Sequence, residues 1–134
     1  MASIRLEIPL DAPAERVWKR LREVGAAHRL FPGVLTDCRL DGDARVVTFA
    51  NGMVVRELIV DVDEDARRVA YAVVEWQARH HHASIQVVPE NASRSRLVWV
   101  TDLLPNELAA PVRALMEQGA KATQGVFAAA AGGG

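Results

Sequence analysis

The stretch from Val34 to Leu104 reads as strand after strand, broken only by turn signals, and a single long helical pattern follows it. Val34 to Leu40 leads through Asp41-Gly42 into Arg45 to Ala50, and Asn51-Gly52 is a strong two-residue hairpin signal. Met53 to Val62, Val69 to Glu75, His80 to Val88 and Arg96 to Leu104 continue the series, separated by Asp63-Glu64-Asp65, by Trp76 to Arg79 and by the polar segment Pro89 to Ser95. Strands joined by such short connections must pair as antiparallel neighbours, and a sheet of this many strands twists and curls.

The flanking segments complete the pattern. Ile4, Leu6, Ile8 and Leu10 alternate with polar residues, the period of a half-buried strand, which makes seven strands in all. Asp11 stands as an N-cap before Val17, Trp18, Leu21 and Val24, which share one face of a short helix stopped at Gly25, and Ala26 to Phe31 adds a further turn before Pro32-Gly33. After Pro105, the residues Leu108, Val112, Leu115, Met116, Gly119, Thr123 and Phe127 recur at helical spacing. This long C-terminal helix, with Pro111 in an early turn, is the one element able to cover the concave face of a curled sheet. The expected class is α+β: a curved seven-stranded antiparallel sheet wrapped around a long C-terminal helix, with short helices after the first strand.

Length and composition bound the function. The 134 residues suit one domain over 1–127, followed by a tail, 128–134, with nothing to pack and read as flexible. Sixteen Lys and Arg balance seventeen Asp and Glu without a run of either sign, so no nucleic-acid interface is expected. Met1 to Pro13 carries charges where a secretory signal needs an apolar core, no stretch is long enough to span a membrane, and the lone Cys38 needs no oxidising compartment. The expected location is the cytoplasm. There is no Gly-rich phosphate loop, so no nucleotide cofactor is indicated. His80 and His82 share a strand face and could begin a zinc site, but no Cys or Asp lies close by in sequence to complete it, so no metal is expected.

The order of these elements, with Ala12 to Trp18 (APAERVW), Phe31-Pro32-Gly33-Val34, Asn51-Gly52 through Arg56-Glu57 to Asp61, Arg68 through Tyr71, and Trp99 through Asp102 to Pro105, resembles the polyketide cyclase/dehydrase and lipid-transport family. That family shares the helix-grip fold of START domains, the major birch-pollen allergen and the plant abscisic-acid receptors. The resemblance covers Ile4 to Phe127 and rests on order and spacing. It implies a cavity between sheet and helix that holds a small hydrophobic ligand such as a lipid, a polyketide or a hormone. Because such proteins range from carriers to cyclases, it implies no particular reaction.

Within that frame, a two-residue loop at Asn51-Gly52 sets Thr48, Val55, Glu57 and Ile59 on one face. Glu57 also matches a cavity-facing Glu of the plant receptors. It is either a polar anchor inside the pocket or a solvated carboxylate paired with Arg45 or Arg56. Tyr71 lies on the face of Val73, and Trp99 on the face of Leu97, Thr101 and Leu103; each either touches ligand or fills core. Position 82 roughly matches a cavity-facing tyrosine of the receptors, whereas Ile85 and Val87 on the opposite parity argue for His82 facing outward. A hydrated cavity tolerates His82, Ser84 and Gln86, and the inward placement is taken here. The expected pocket is therefore lined by Glu57, Tyr71, His82 and Trp99, closed by Leu108, Val112, Leu115 and Met116, and several hundred Å³ in volume on the order usual for ligand sites. Trp18 reads as core. Two other functions fit the same residues: a polyketide cyclase or dehydratase moving protons with Glu57 or His82, and an interaction module that docks a partner or forms a homodimer through Val47 and Phe49 on the outer face of the sheet.

Overall fold

The computed structural model describes residues 2–128. Strand β1 (Ala2–Leu10) is followed by α1 (Ala14–Leu21), a 3-10 turn (Val24–Ala26) and α2 (Ala27–Leu30). The remaining strands are β2 (Leu35–Asp41), β3 (Ala44–Phe49), β4 (Val54–Asp63), β5 (Arg68–Val74), β6 (His80–Pro89) and β7 (Ser95–Leu104). A second 3-10 turn (Asn106–Leu108) leads into α3 (Ala109–Val126). All seven strands form one antiparallel sheet in the order β1-β7-β6-β5-β4-β3-β2, the expected architecture.

Hairpin succession explains every pairing except β1 with β7, which brings the first strand beside the last and leaves β1 and β2 as the two edges. The helices between β1 and β2 cross from one edge of the sheet to the other. Burial alternates along the strands as period two requires: Ile4 and Ile8, Leu97 and Trp99, Ile85 and Val87, Val69 and Tyr71, and Val47 and Val55 all face one side. On that side lies α3, burying Val112, Met116, Gly119 and Thr123 at four- and three-residue steps. Gly119 permits the close approach, because a Cβ there would stand 3.1 Å from the Trp99 ring and 3.2 Å from Phe31. Thr123 fastens α3 to α2: its fully buried hydroxyl lies 3.1 Å from the Leu30 carbonyl and 3.0 Å from that of Gly119.

Two local expectations are corrected. The N-cap of α1 is Pro13, not Asp11, which instead forms an ion pair with Arg94 at the foot of β7. The β3–β4 connection has three residues, Ala50 to Gly52, rather than two. The Phe49 N–H donates to the Met53 carbonyl at 2.8 Å, that of Gly52 to the Phe49 carbonyl at 2.9 Å, and Gly52 takes the positive φ of 89° that closes the turn. Phe49 rather than Ala50 thus opposes Met53, and the parity of β3 is the reverse of that expected. Val47 (1% exposed) and Phe49 lie on the inner face and Thr48 on the outer, so the proposed outer-face docking patch at Val47 and Phe49 does not exist. Of the expected tail, 128–134, all but Ala128 lies outside the described residues.

Candidate functional site

A cavity of about 90 Å³ lies between the inner face of the sheet and α3 and is open toward solvent at one end. Its buried end is formed by Phe31, Arg45, Glu57, Tyr71, Trp99 and Thr101, with Val112 and Met116 from α3. The half-buried rim includes Phe49, Met53, Trp76, His81 and Leu115. The space is smaller than the expected several hundred Å³, and aromatic rings form much of its wall: Phe31 and Trp99 stack with centroids 5.3 Å apart at 27°, and Phe49 and Trp76 line the rim.

The polar centre is a buried ion pair. Arg45 and Glu57 are direct cross-strand partners on β3 and β4, and Arg45 Nε donates to Glu57 Oε1 at 2.7 Å, with only 6% and 12% of the two side chains exposed. Arg45 Nη1 donates to the Val24 carbonyl at 3.3 Å, and the guanidinium lies 5.0 Å from the centre of the Tyr71 ring, a cation–π contact. Burial opposes the charge on Arg45, but Glu57 and then Tyr71 outweigh it and hold the guanidinium firmly protonated. Trp99 Nε1 donates to the Tyr71 hydroxyl at 3.2 Å. Burial first, and Glu57 second, push the ionisation of Tyr71 well above its usual range, so the phenol keeps its proton.

The structure therefore brings Glu57, Tyr71, Trp99, Val112, Leu115 and Met116 together around the cavity. His82 and Leu108 are placed elsewhere. The β5–β6 register pairs Tyr71 with Ala83 and Ala72 with His82, so His82 lies on the outer face between Ala72 and Asp102. The burial of Ala83, Ile85 and Val87 fixes that parity, and it is His81 that enters the cavity wall. Leu108 ends the 3-10 turn before α3, one turn short of Val112, and packs against the core rather than the cavity.

His81 is half-buried against Trp76, with ring centroids 5.6 Å apart at 51°. Among the described residues, neither its Nδ1 nor the Trp76 indole nitrogen has a hydrogen-bond partner, although both atoms are buried. Burial, and then the neighbouring His80 and His82, lower its pKa from 6.5 to about 4, which leaves a neutral imidazole at pH 7. Cys38 is buried, its Sγ 3.6 Å from the Val24 carbonyl, and burial pushes its thiol pKa up, the signature of a packing residue. Among the described residues no cluster of three His, Cys, Asp or Glu side chains is disposed to hold a metal ion, and no helix is long and apolar enough to cross a membrane.

Sequence reasoning missed Arg45, Phe31, Trp76 and His81 as wall residues. The inward parity of His81 was available from Ile85 and Val87. That of Arg45 was hidden by the length of the Ala50–Gly52 turn.

Comparisons place this geometry in a known setting. The structure resembles protein XoxI of Bacillus cereus (18% identity, 97% of this chain and 98% of that one, TM-score 0.88). It also resembles a START superfamily protein of Mycobacterium smegmatis (13%, 93% and 96%, TM-score 0.77). A third likeness is to norcoclaurine synthase of Thalictrum flavum bound to a transition-state analogue (22%, 94% and 93%, TM-score 0.71). At these identities the likeness is one of fold, and no curated protein matches the sequence itself. The family model for polyketide cyclase/dehydrase and lipid transport matches residues 1–132, and the chain belongs to that family.

Proposed function

We propose that this protein binds one small, largely apolar molecule in the cavity between sheet and α3, and that it holds the molecule rather than transforming it. The observation that carries this reading is the cavity itself: an apolar space with one internally neutralised ion pair at its buried end. The volume favours a ligand of single-ring size over a sterol or an extended acyl chain.

The two candidate proton carriers of a cyclase fare differently. His82 is on the wrong face, and Glu57 is already engaged by a guanidinium at 2.7 Å, an arrangement suited to positioning a group rather than to shuttling a proton. Family membership is equally compatible with carriers and with enzymes, so the reading rests on this geometry.

Native mass spectrometry of the protein as purified, followed by titration of the emptied protein with toluene, tests it. Binding is expected in the wild type, with loss in Val112→Phe, which fills the cavity from α3. A wild type that neither retains a compound nor takes up toluene would refute the proposal.

A further inference from the structure

We infer that the cavity selects an uncharged single-ring compound bearing a hydroxyl group, phenol being the simplest, over an anionic or purely hydrocarbon ring of the same size. The inference rests on the ligand-binding reading above and adds the chemical class of the ligand.

Charge balance excludes ions. Among the described residues, Arg45 and Glu57 are the only Arg, Lys, Asp or Glu side chains in the cavity wall, and they neutralise each other. A ligand carboxylate would find the Arg45 Nε committed to Glu57, its Nη1 to the Val24 carbonyl and its face to the Tyr71 ring, with the Glu57 charge beside it. An ammonium would meet Arg45. A carboxylate could still reach the remaining Nη N–H groups of Arg45 and an ammonium the free Glu57 Oε2, but each would lie beside a like charge as close as its partner, so either ion would surrender its hydration at a wall with no net opposite charge.

The unused hydrogen-bonding capacity of the wall defines what is accepted instead. Tyr71 receives the Trp99 N–H, so an oxygen lone pair is occupied while its own proton has no acceptor among the described residues. Burial keeps that proton in place. Glu57 Oε2 accepts no hydrogen bond among the described residues, nor does the Thr101 hydroxyl, in a residue 1% exposed, make one. At its buried end the wall therefore offers a donor at Tyr71 and acceptors at Glu57 and Thr101, while the unpartnered nitrogens of Trp76 and His81 stand at the rim. A ligand hydroxyl matches both needs with a single group: its oxygen accepts from Tyr71 and its proton goes to Glu57 or Thr101. A carbonyl satisfies only the donor and a hydrocarbon satisfies neither. The stacked Phe31 and Trp99 rings supply a flat wall for the remainder of the ligand.

The test is calorimetric titration of the whole protein at pH 7 with phenol, toluene and benzoate, in the wild type and in Tyr71→Phe and Glu57→Gln. Phenol is expected to bind about tenfold tighter than toluene and at least tenfold tighter than benzoate, and Tyr71→Phe to close most of the phenol-to-toluene gap. Glu57→Gln is expected to relax the discrimination against benzoate. Equal affinity for phenol and toluene, or tighter binding of benzoate, would overturn the hydroxyl selection while leaving ligand binding intact. Failure of all three compounds would instead overturn the binding reading itself. Should either variant fail to fold, the ranking in the wild type still decides.

Discussion

Removing Arg45 should harm the fold more than removing Arg45 and Glu57 together. Arg45→Met leaves the Glu57 carboxylate facing an apolar cavity without its 2.7 Å partner, and Glu57→Leu leaves the guanidinium to the Val24 carbonyl and the Tyr71 ring. Breaking a fully buried pair typically costs about 3–5 kcal/mol. Here the open end of the cavity gives a stranded charge some access to water, which lowers the expectation to about 2–3 kcal/mol for each single change. In the double variant no charge is left behind and two apolar side chains enter the wall, so the loss should be only about 1–2 kcal/mol. The coupling is then roughly 3 kcal/mol, at the upper end for contacting residues. Urea unfolding at pH 7 reads this directly. With a slope of about 1–3 kcal/mol per molar, each single variant should unfold roughly 1–2 M earlier than the wild type, and the double variant within about 1 M of it. A double variant less stable than either single one, with additive losses, would refute the view that the two side chains act as a neutral unit.

Two further changes probe the cavity wall. The lowered pKa of His81, from 6.5 in the unfolded chain to about 4 in the fold, means that the unfolded chain takes up the extra proton first; its contribution is complete above pH 6.5 and is lost as pH falls towards 4. Full linkage would amount to roughly 3 kcal/mol, which partial exposure reduces to about 1–2 kcal/mol. Urea midpoints at pH 7.5 and 4.5 should therefore fall more in the wild type than in His81→Phe, and equal falls would remove His81 as the cause. In Gly119→Ala, the new Cβ presses on Trp99 at 3.1 Å and Phe31 at 3.2 Å, two rings that line the cavity and must give way. A helix-propensity gain of about 1 kcal/mol offsets an overpacking cost of about 1–3 kcal/mol, so calorimetry should show a small change in melting temperature while toluene affinity falls at least tenfold. Unchanged affinity would show that the rings do not wall the binding space.

The architecture was legible because its signals are redundant. Five hairpin or turn signals, alternation in several strands and one helical period each point to the same packing, so an error of one residue at any boundary leaves the sheet order intact. The short helices were less so. Asp11 has the chemistry of an N-cap, but a tertiary partner, Arg94, claims it, and Pro13 starts α1 without a side-chain cap. Nothing local to Asp11 distinguishes the two fates.

The site was less legible than the fold because a pocket wall depends on parity, and parity has no redundancy. In β6 the evidence was sufficient: Ile85 and Val87 are nearly fully buried, and period two then admits His81 and turns out His80 and His82. Weighing cavity hydration above that alternation reversed the choice. In β3 the evidence was insufficient, because Ala50-Asn51-Gly52 closes a three-residue turn as readily as Asn51-Gly52 closes a two-residue one, and the added residue moves Arg45 from the outer face to the inner. A burial argument would not have rescued it, since arginine is among the residues least expected inside. Only the carboxylate opposite makes the position tenable: Glu57 stands directly across from Arg45 in the true register, and the reversed register would have left both without this partner. The same cross-strand pair that makes the wall neutral to a ligand therefore also favours the turn length that puts it there.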